Sequence, residues 1–270
     1  MVDASFSGIK IDHLYFKYNE NDNYTLKDIC MEIRPRQKIA LVGYNGAGKS
    51  TLINLILRLY DPNQGSITYN DKNICDYNVK NYRSKYGIVF QDINVYAATI
   101  GQNIAMDMEV YSDEEMQNVM NSLHLKEKIN KYEGRFNTQL THELSDSGEM
   151  LSIGQCQCLA LARIFINQEK QLYILDEPTS ALDPIAEEEI FEAINSYLEE
   201  KTVIYISHRF SASKIADRIY FMEKGQIVEQ GTHDELILQS GKYAHMFNLQ
   251  AKYYRDETEV AVNDRCKNEA

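Results

Sequence analysis

An α/β fold with a mostly parallel sheet is what this 270-residue sequence predicts, and three observations carry that expectation. Short apolar runs, IALV at 39–42, LYIL at 172–175 and VIYI at 203–206, each lead toward a stretch with helical spacing. That order places parallel strands in a sheet covered on both faces. The first run leads into GYNGAGKST at 43–51 and then LINLILRL at 52–59, the strand, glycine-rich loop and helix order of a phosphate-binding loop. Between about 100 and 170 the texture turns helical, which predicts an inserted body of helices.

Residues 8–33 read as short strands, with NENDN at 19–23 as the turn between them. DPNQG at 61–65 is a second turn, and SITY at 66–69 alternates like a strand. YGIVF at 86–90 is a short buried strand that ends at Gln91. Ser112 with Glu115 forms a capping box, and Met116, Val119, Met120 and Leu123 then share one helical face. From 255 to 270 the chain is polar and charged, the composition of a frayed tail.

The residue types at 43–51 follow from the chemistry of holding an anion. Gly43, Gly46 and Gly48 allow positive φ and a close approach of backbone to ligand, and their N–H groups with the following helix N-terminus cradle a phosphate. Lys49 would reach the β- and γ-phosphates, and the Ser50 hydroxyl would join a Mg²⁺ shell. The formal net charge of −12 means that this attraction is local and works against the field of the whole chain. The same charge argues against a nucleic-acid partner, which needs a basic face.

No apolar run approaches the roughly 18 residues of a membrane span, and the first residues have neither a basic nor an apolar leader region. Cys30, Cys75, Cys156, Cys158 and Cys266 form no C-x-x-C and no metal-ligand spacing, so reduced thiols are expected. Cys156 and Cys158, two apart in a helix, fall on different faces.

Four more motifs follow the phosphate loop. LYILDE at 172–177 is a strand ending in two acids: Asp176 can hold Mg²⁺ through water, and Glu177 can polarise an attacking water. LSIGQ at 151–155 ends 21 residues before Asp176 and opens a helix from Cys156 to Ile166. SALD at 180–183 comes next, and Ser207-His208 closes the following strand. With these on the chain in order, residues 8–250 resemble the nucleotide-binding domain of an ATP-binding-cassette (ABC) transporter. Residues 43–51 resemble Walker A, Gln91 the Q-loop glutamine, 151–155 the LSGGQ signature, 180–183 the D-loop and His208 the switch histidine. Tyr18, 25 residues before Gly43, resembles the A-loop aromatic that stacks on adenine.

The resemblance implies an α/β, ABC-type P-loop core at about 8–92 and 157–250, with an antiparallel β subdomain and an inserted helical subdomain at about 93–156. It implies ATP and Mg²⁺ as ligands. Nucleotide contacts are then expected from Tyr18, Gly43, Asn45, Gly46, Ala47, Gly48, Lys49, Ser50 and Thr51, and from Ser152, Gly154, Gln155 and Asp183. Ser50, Gln91 and Asp176 are the expected metal-side groups, and Glu177, His208 and Gln91 the catalytic ones. TIGQNI at 99–104, the stretch 217–236 and GKYA at 241–244 resemble the exporter branch. In that branch the ATPase is fused to a membrane domain, works at the cytoplasmic face of the membrane as a head-to-tail pair, and is itself soluble. The substrate is read by membrane segments that this chain does not contain.

Departures cluster in the signature. Ile153 replaces its first glycine, and Cys156-Gln157-Cys158 replaces the usual R-Q-R. Ser152, Gly154 and the helix N-terminus, the parts that can face a γ-phosphate, remain. Arg36 stands where a turn glycine is usual. Two other classes are less well matched. A DNA-maintenance ATPase of this type needs heptad arms or a basic face. A nucleotide binder without turnover would lack Glu177 or His208, and both are present.

Overall fold

The structure is a computed structural model, and it describes residues 5–106, 111–143, 148–167, 169–207 and 210–249. The chain divides into two compact units, residues 1–78 with 205–270 and residues 79–204.

The first unit opens with two strands, β1 (Ile9–Phe16) and β2 (Leu26–Ile33). Apolar residues bury one face, alternating with one slip in each strand: Ile9, Ile11, Leu14 and Phe16 from β1, and Leu26, Ile29, Met31 and Ile33 from β2. β3 (Lys38–Gly43) is apolar without alternation and buried almost throughout, and it leads into helix α1 (Lys49–Ile56). β4 (Gln64–Tyr69) and β5 (Lys72–Asn73) complete an antiparallel sheet in the order β2-β1-β4-β5.

Helix α1 is shorter than the apolar run 52–59 predicts. It ends at Ile56 because Arg58 takes a left-handed backbone (φ 54°) and turns its guanidinium onto the carbonyls of Ile74 (3.1 Å) and Tyr77 (2.8 Å). β4 begins two residues earlier than expected, taking in Gln64 and Gly65. The Gly65 Cα faces the backbone of β1 so closely that a Cβ would lie 2.3 Å from the His13 carbonyl oxygen.

The second unit runs through α2 (Val79–Arg83), β6 (Tyr86–Val89), α3 (Ile100–Ala105), α4 (Asp113–Ser122), α5 (Lys126–Lys131) and α6 (Ile153–Phe165). β7 (Leu172–Asp176) and α7 (Pro184–Tyr197) follow. β6 and β7 pair in parallel, Tyr86 opposite Leu172 and Val89 opposite Leu175. Gly87 makes that pairing possible, since a Cβ there would meet the Tyr173 ring at 2.6 Å. α6 packs its apolar face on α3, α4 and β6, with Cys158 buried and Cys156 half-buried, as their spacing predicts. The capping box of Ser112 and Glu115 on α4 is present, and α3 has another from Thr99 and Gln102.

β8 (Thr202–Ile206), fully buried, carries the chain back to the first unit. There α8 (Phe210–Ile215), β9 (Arg218–Glu223), β10 (Gln226–Gly231) and α9 (His233–Leu238) close the fold. β9 lies parallel to β3 and antiparallel to β10. Ala40, Val42, Ile219, Phe221, Leu236 and Tyr243 form a core on these elements. The fold class is the expected one, mixed α/β with an antiparallel sheet. The polar stretch 255–270 lies outside the described residues.

Candidate functional site

In the first unit, the loop from β3 to α1 has the geometry of an anion cradle. Gly43 and Gly48 have φ of 152° and 103°, which L-residues rarely adopt. Gly43 also has no room for a side chain, because a Cβ would sit 2.2 Å from the Met222 carbonyl oxygen. The turn is closed by Ala47 N–H donating to the Tyr44 carbonyl at 3.1 Å. Lys49 is buried, and its ammonium donates to the carbonyls of Gly43 (2.7 Å) and Tyr44 (3.2 Å), the rim of the loop.

The start of α1 is the informative feature. Helices α3, α4, α6, α7 and α9 are each capped by a side chain, from Thr99, Ser112, Ser152, Asp183 and Thr232. α1, like α5 at Leu125, has no side-chain cap, and it alone of these begins at a glycine in a left-handed backbone, Gly48 with φ 103°. Its first amides therefore point at the place where an anion can sit, at the positive end of the helix dipole. Ser50 and Asn45 are exposed there and Ala47 is buried.

Tyr18 joins this cluster, as its position in the sequence predicts. Its hydroxyl lies 3.0 Å from Thr51 Oγ1 on α1. Phe16 and Tyr60 pack on it edge to face, with centroids at 5.0 and 5.2 Å, so the ring is fixed while 47 % of the residue stays exposed. A fixed and accessible aromatic beside the loop suits stacking of a base.

In the second unit, β7 delivers buried Asp176 and then Glu177. Glu177 has φ 49°, a left-handed backbone for a non-glycine residue, which costs energy and is held by its surroundings. Its carbonyl accepts from Ser180 N–H (3.3 Å) and from Gln157 Nε2 (3.4 Å). Gln91 is exposed just beyond β6.

The signature residues start α6. Ser152 caps the helix: its Oγ accepts from Gln155 N–H at 3.3 Å, and Ser152 N–H donates to Gln155 Oε1 at 2.9 Å. The cap uses a lone pair and leaves the Ser152 O–H able to donate outward. Ile153, in place of a glycine, points into solvent and is 76 % exposed. A Cβ at Gly154 would approach Leu182 Cδ2 to 2.9 Å, a contact that a turn of that side chain can relieve. Asp183 caps α7, its Oδ1 accepting from the amides of Ile185 and Ala186 at 3.1 Å. His208 lies outside the described residues.

Three residues without a sequence-derived role hold this unit together. Buried Gln157 donates to Ser180 Oγ (2.7 Å) and accepts from Ala181 N–H (2.9 Å), tying the signature helix to residues 180–183. Arg163 donates to the carbonyls of Asn103 (2.9 Å) and Asn94 (2.7 Å) and lies over the Tyr96 ring at 5.4 Å. Burial holds the Arg163 pKa below its usual value. Asn103 is buried and clamps the loop by accepting from Tyr96 N–H (2.9 Å) and donating to the Tyr96 carbonyl (3.0 Å). A polar residue at a core position of a helical pattern is the only signal that could have marked Gln157 and Asn103.

A sequence model of the family described as ABC transporter matches residues 26–180. Proteins of Staphylococcus aureus strains NCTC 8325 and COL, both with the provisional name multidrug export ATP-binding/permease protein, are 40 % identical over 242 residues. That match covers 90 % of this chain and 41 % of theirs, so the chain spans about two fifths of these relatives. A solved structure of a bacterial Atm1-family ABC exporter with ATP bound superposes with a TM-score of 0.82 at 30 % identity, over 91 % of this chain and 42 % of that one. With the family model spanning more than half of the sequence, and the motif residues held in the geometry described above, this chain belongs to the ABC transporter family.

Proposed function

We propose that this chain binds and hydrolyses ATP with Mg²⁺ and drives export through a membrane domain fused to it in the natural protein. The observation that carries the reading is the uncapped, glycine-started helix α1 with Lys49 on the loop rim. Those groups suit a polyanion, and the exposed Ser50 hydroxyl suits the metal that accompanies it. Gln91 and Asp176 would complete the metal's surroundings, and bound Mg²⁺ would neutralise charge on the phosphates. Asn45 and the loop amides hold the phosphates, and Tyr18 takes the base. Glu177 orients the attacking water, with His208 holding the γ-phosphate.

The second chain in this reading is an identical or homologous copy packed head to tail. Its Ser152, Gly154 and Gln155 would close over the phosphates, with Asp183 at the edge. Exposed apolar Met150 (60 %) and Ile153 (76 %) beside that motif suit a surface that a partner covers. The chain would then act at the cytoplasmic face of the membrane. No helix among the described residues is long and apolar enough to cross a membrane, so the span is assigned to the fused domain.

The test is nucleotide binding to Lys49→Ala. Charge-assisted contacts contribute about 1.5–3 kcal/mol each, so ATP affinity should fall at least roughly tenfold in a calorimetric titration. Unchanged affinity would remove the phosphate-loop assignment.

A further inference from the structure

On the antiparallel sheet of the first unit, β1 and β2 do not pair evenly. Ile11 stands opposite Met31 and Leu14 opposite Ile29, so Asp12 and His13 together face the single residue Cys30. This is a β-bulge, and its extra residue turns His13 to a left-handed backbone (φ 45°). The bulge is built in: Gly65 of β4 lies against it, where a Cβ would meet the Asp12 carbonyl oxygen at 2.5 Å and the His13 carbonyl oxygen at 2.3 Å. Asp28 is also left-handed (φ 53°), within a second irregularity of β2, and it reaches back to the same point.

The bulge thus brings a carboxylate, an imidazole and a thiol to one spot. One ligand atom from each of Asp12, His13 and Cys30 lies within 4.8 Å of the others, and all three residues are exposed. His13 Nδ1 is 3.8 Å from Cys30 Sγ. Two such atoms on one tetrahedral Zn²⁺ stand about 3.6 Å apart, from bonds of roughly 2.3 and 2.0–2.1 Å. The backbone N–H of His13 donates to Cys30 Sγ at 3.4 Å, which orients the sulfur. Asp28 Oδ1 accepts from His13 Nδ1 at 2.6 Å, so a cation at Nδ1 takes the place of that proton and keeps a second carboxylate beside it. Lys10, 3.9 Å from Asp12, opposes a cation, and Asp12 with Asp28 outweighs it.

We propose that Asp12, His13 and Cys30 form a surface site for a borderline divalent transition-metal cation of the Zn²⁺ class, with water in the fourth position. Sulfur and imidazole select such cations over Mg²⁺, which requires an oxygen shell, so this site is distinct in chemistry from any site for the nucleotide's metal. Uptake displaces protons: the Cys30 S–H bond breaks as a sulfur–metal bond forms, the His13 Nδ1–H bond held by Asp28 breaks as a nitrogen–metal bond forms, and the protons leave to solvent, so affinity rises with pH.

The test is titration of the full chain, free of nucleotide, with Co²⁺ followed by absorbance, then displacement by Zn²⁺. One equivalent should produce a near-ultraviolet sulfur-to-cobalt charge-transfer band that Zn²⁺ abolishes. Cys30→Ser should lose the band, and His13→Gln should weaken Co²⁺ binding at least tenfold. A variant with Cys75 and Cys266 both changed to serine should keep it. All of these side chains lie on the surface or in the tail, and circular dichroism checks that each variant is folded. No band in the unmodified chain, or a band of full strength in folded Cys30→Ser, would overturn the site.

Discussion

Gln157 Nε2 donates to Ser180 Oγ at 2.7 Å, and this bond joins the helix behind the signature to the turn behind Glu177. The same side chain accepts from Ala181 N–H and sits almost wholly buried. Gln157→Ala removes these two part-buried hydrogen bonds, at about 0.5–1.5 kcal/mol each a loss of about 1–3 kcal/mol. Denaturant unfolding should show a lower midpoint of that size at unchanged slope. The proposed ATP hydrolysis should slow as well, because the Glu177 carbonyl, at a left-handed backbone, accepts from the same Gln157 side chain. A variant as stable and active as the parent would show that this bond positions nothing.

Tyr18 offers a cleaner separation of ring from hydroxyl. The ring is set by Phe16 and Tyr60, while the hydroxyl reaches Thr51 on the helix that starts the phosphate loop. Tyr18→Ala should weaken ATP binding by about 1–3 kcal/mol, the range for a base stacked on an aromatic side chain. Tyr18→Phe removes one partly exposed hydrogen bond and should cost less than about 1.5 kcal/mol. Calorimetry on both variants decides it. Equal losses would place recognition in the hydroxyl and contradict stacking.

Local rules made much of this legible in the sequence. The phosphate loop was readable because φ and space at Gly43 and Gly48 admit glycine alone, and the α4 capping box because Ser112 and Glu115 complete it within one turn. The strands were readable because burial follows side-chain alternation on either side of the slip in each. What escaped depends on residues distant in the chain. Helix α1 stops at Ile56 because Arg58 finds carbonyls 16 and 19 residues further on. Gln157 acts on residues 23 and 24 positions away. Cysteine spacing is one-dimensional and could not show Cys30 meeting His13, 17 residues earlier, across a bulge.

The buried face of α6 can be tested through its two thiols. Burial pushes the Cys158 thiol up to about 11 and raises that of half-buried Cys156. The thiolate is the reactive form, so at pH 8 only about one Cys158 in a thousand is reactive, and the fraction grows tenfold per pH unit below 11. Iodoacetamide at pH 8 followed by mass spectrometry should find exposed Cys30 modified and Cys158 untouched, with Cys158 reacting once urea unfolds the chain. Cys158 labelled in the folded protein as fast as Cys30 would contradict the packing of α6.

The last prediction separates hydrolysis from assembly. Glu177 is proposed to orient the water, a role that contributes roughly 10²–10⁴ in rate. Glu177→Gln keeps the shape of the side chain and removes the negative charge that the proposed mechanism sets against the γ-phosphate. ATP binding should persist while phosphate release falls by about that factor. Unhydrolysed ATP would then bridge the loop at residues 43–51 of one copy and Ser152 and Gly154 of the other. At micromolar concentration the variant should elute as a dimer with Mg-ATP, whereas the parent chain clears its nucleotide and, with a net charge of −12 on each copy, stays largely monomeric. Light scattering on both proteins reads the difference. A variant that binds ATP and remains monomeric would contradict the shared site, and one that hydrolyses at the parental rate would take Glu177 out of the chemistry.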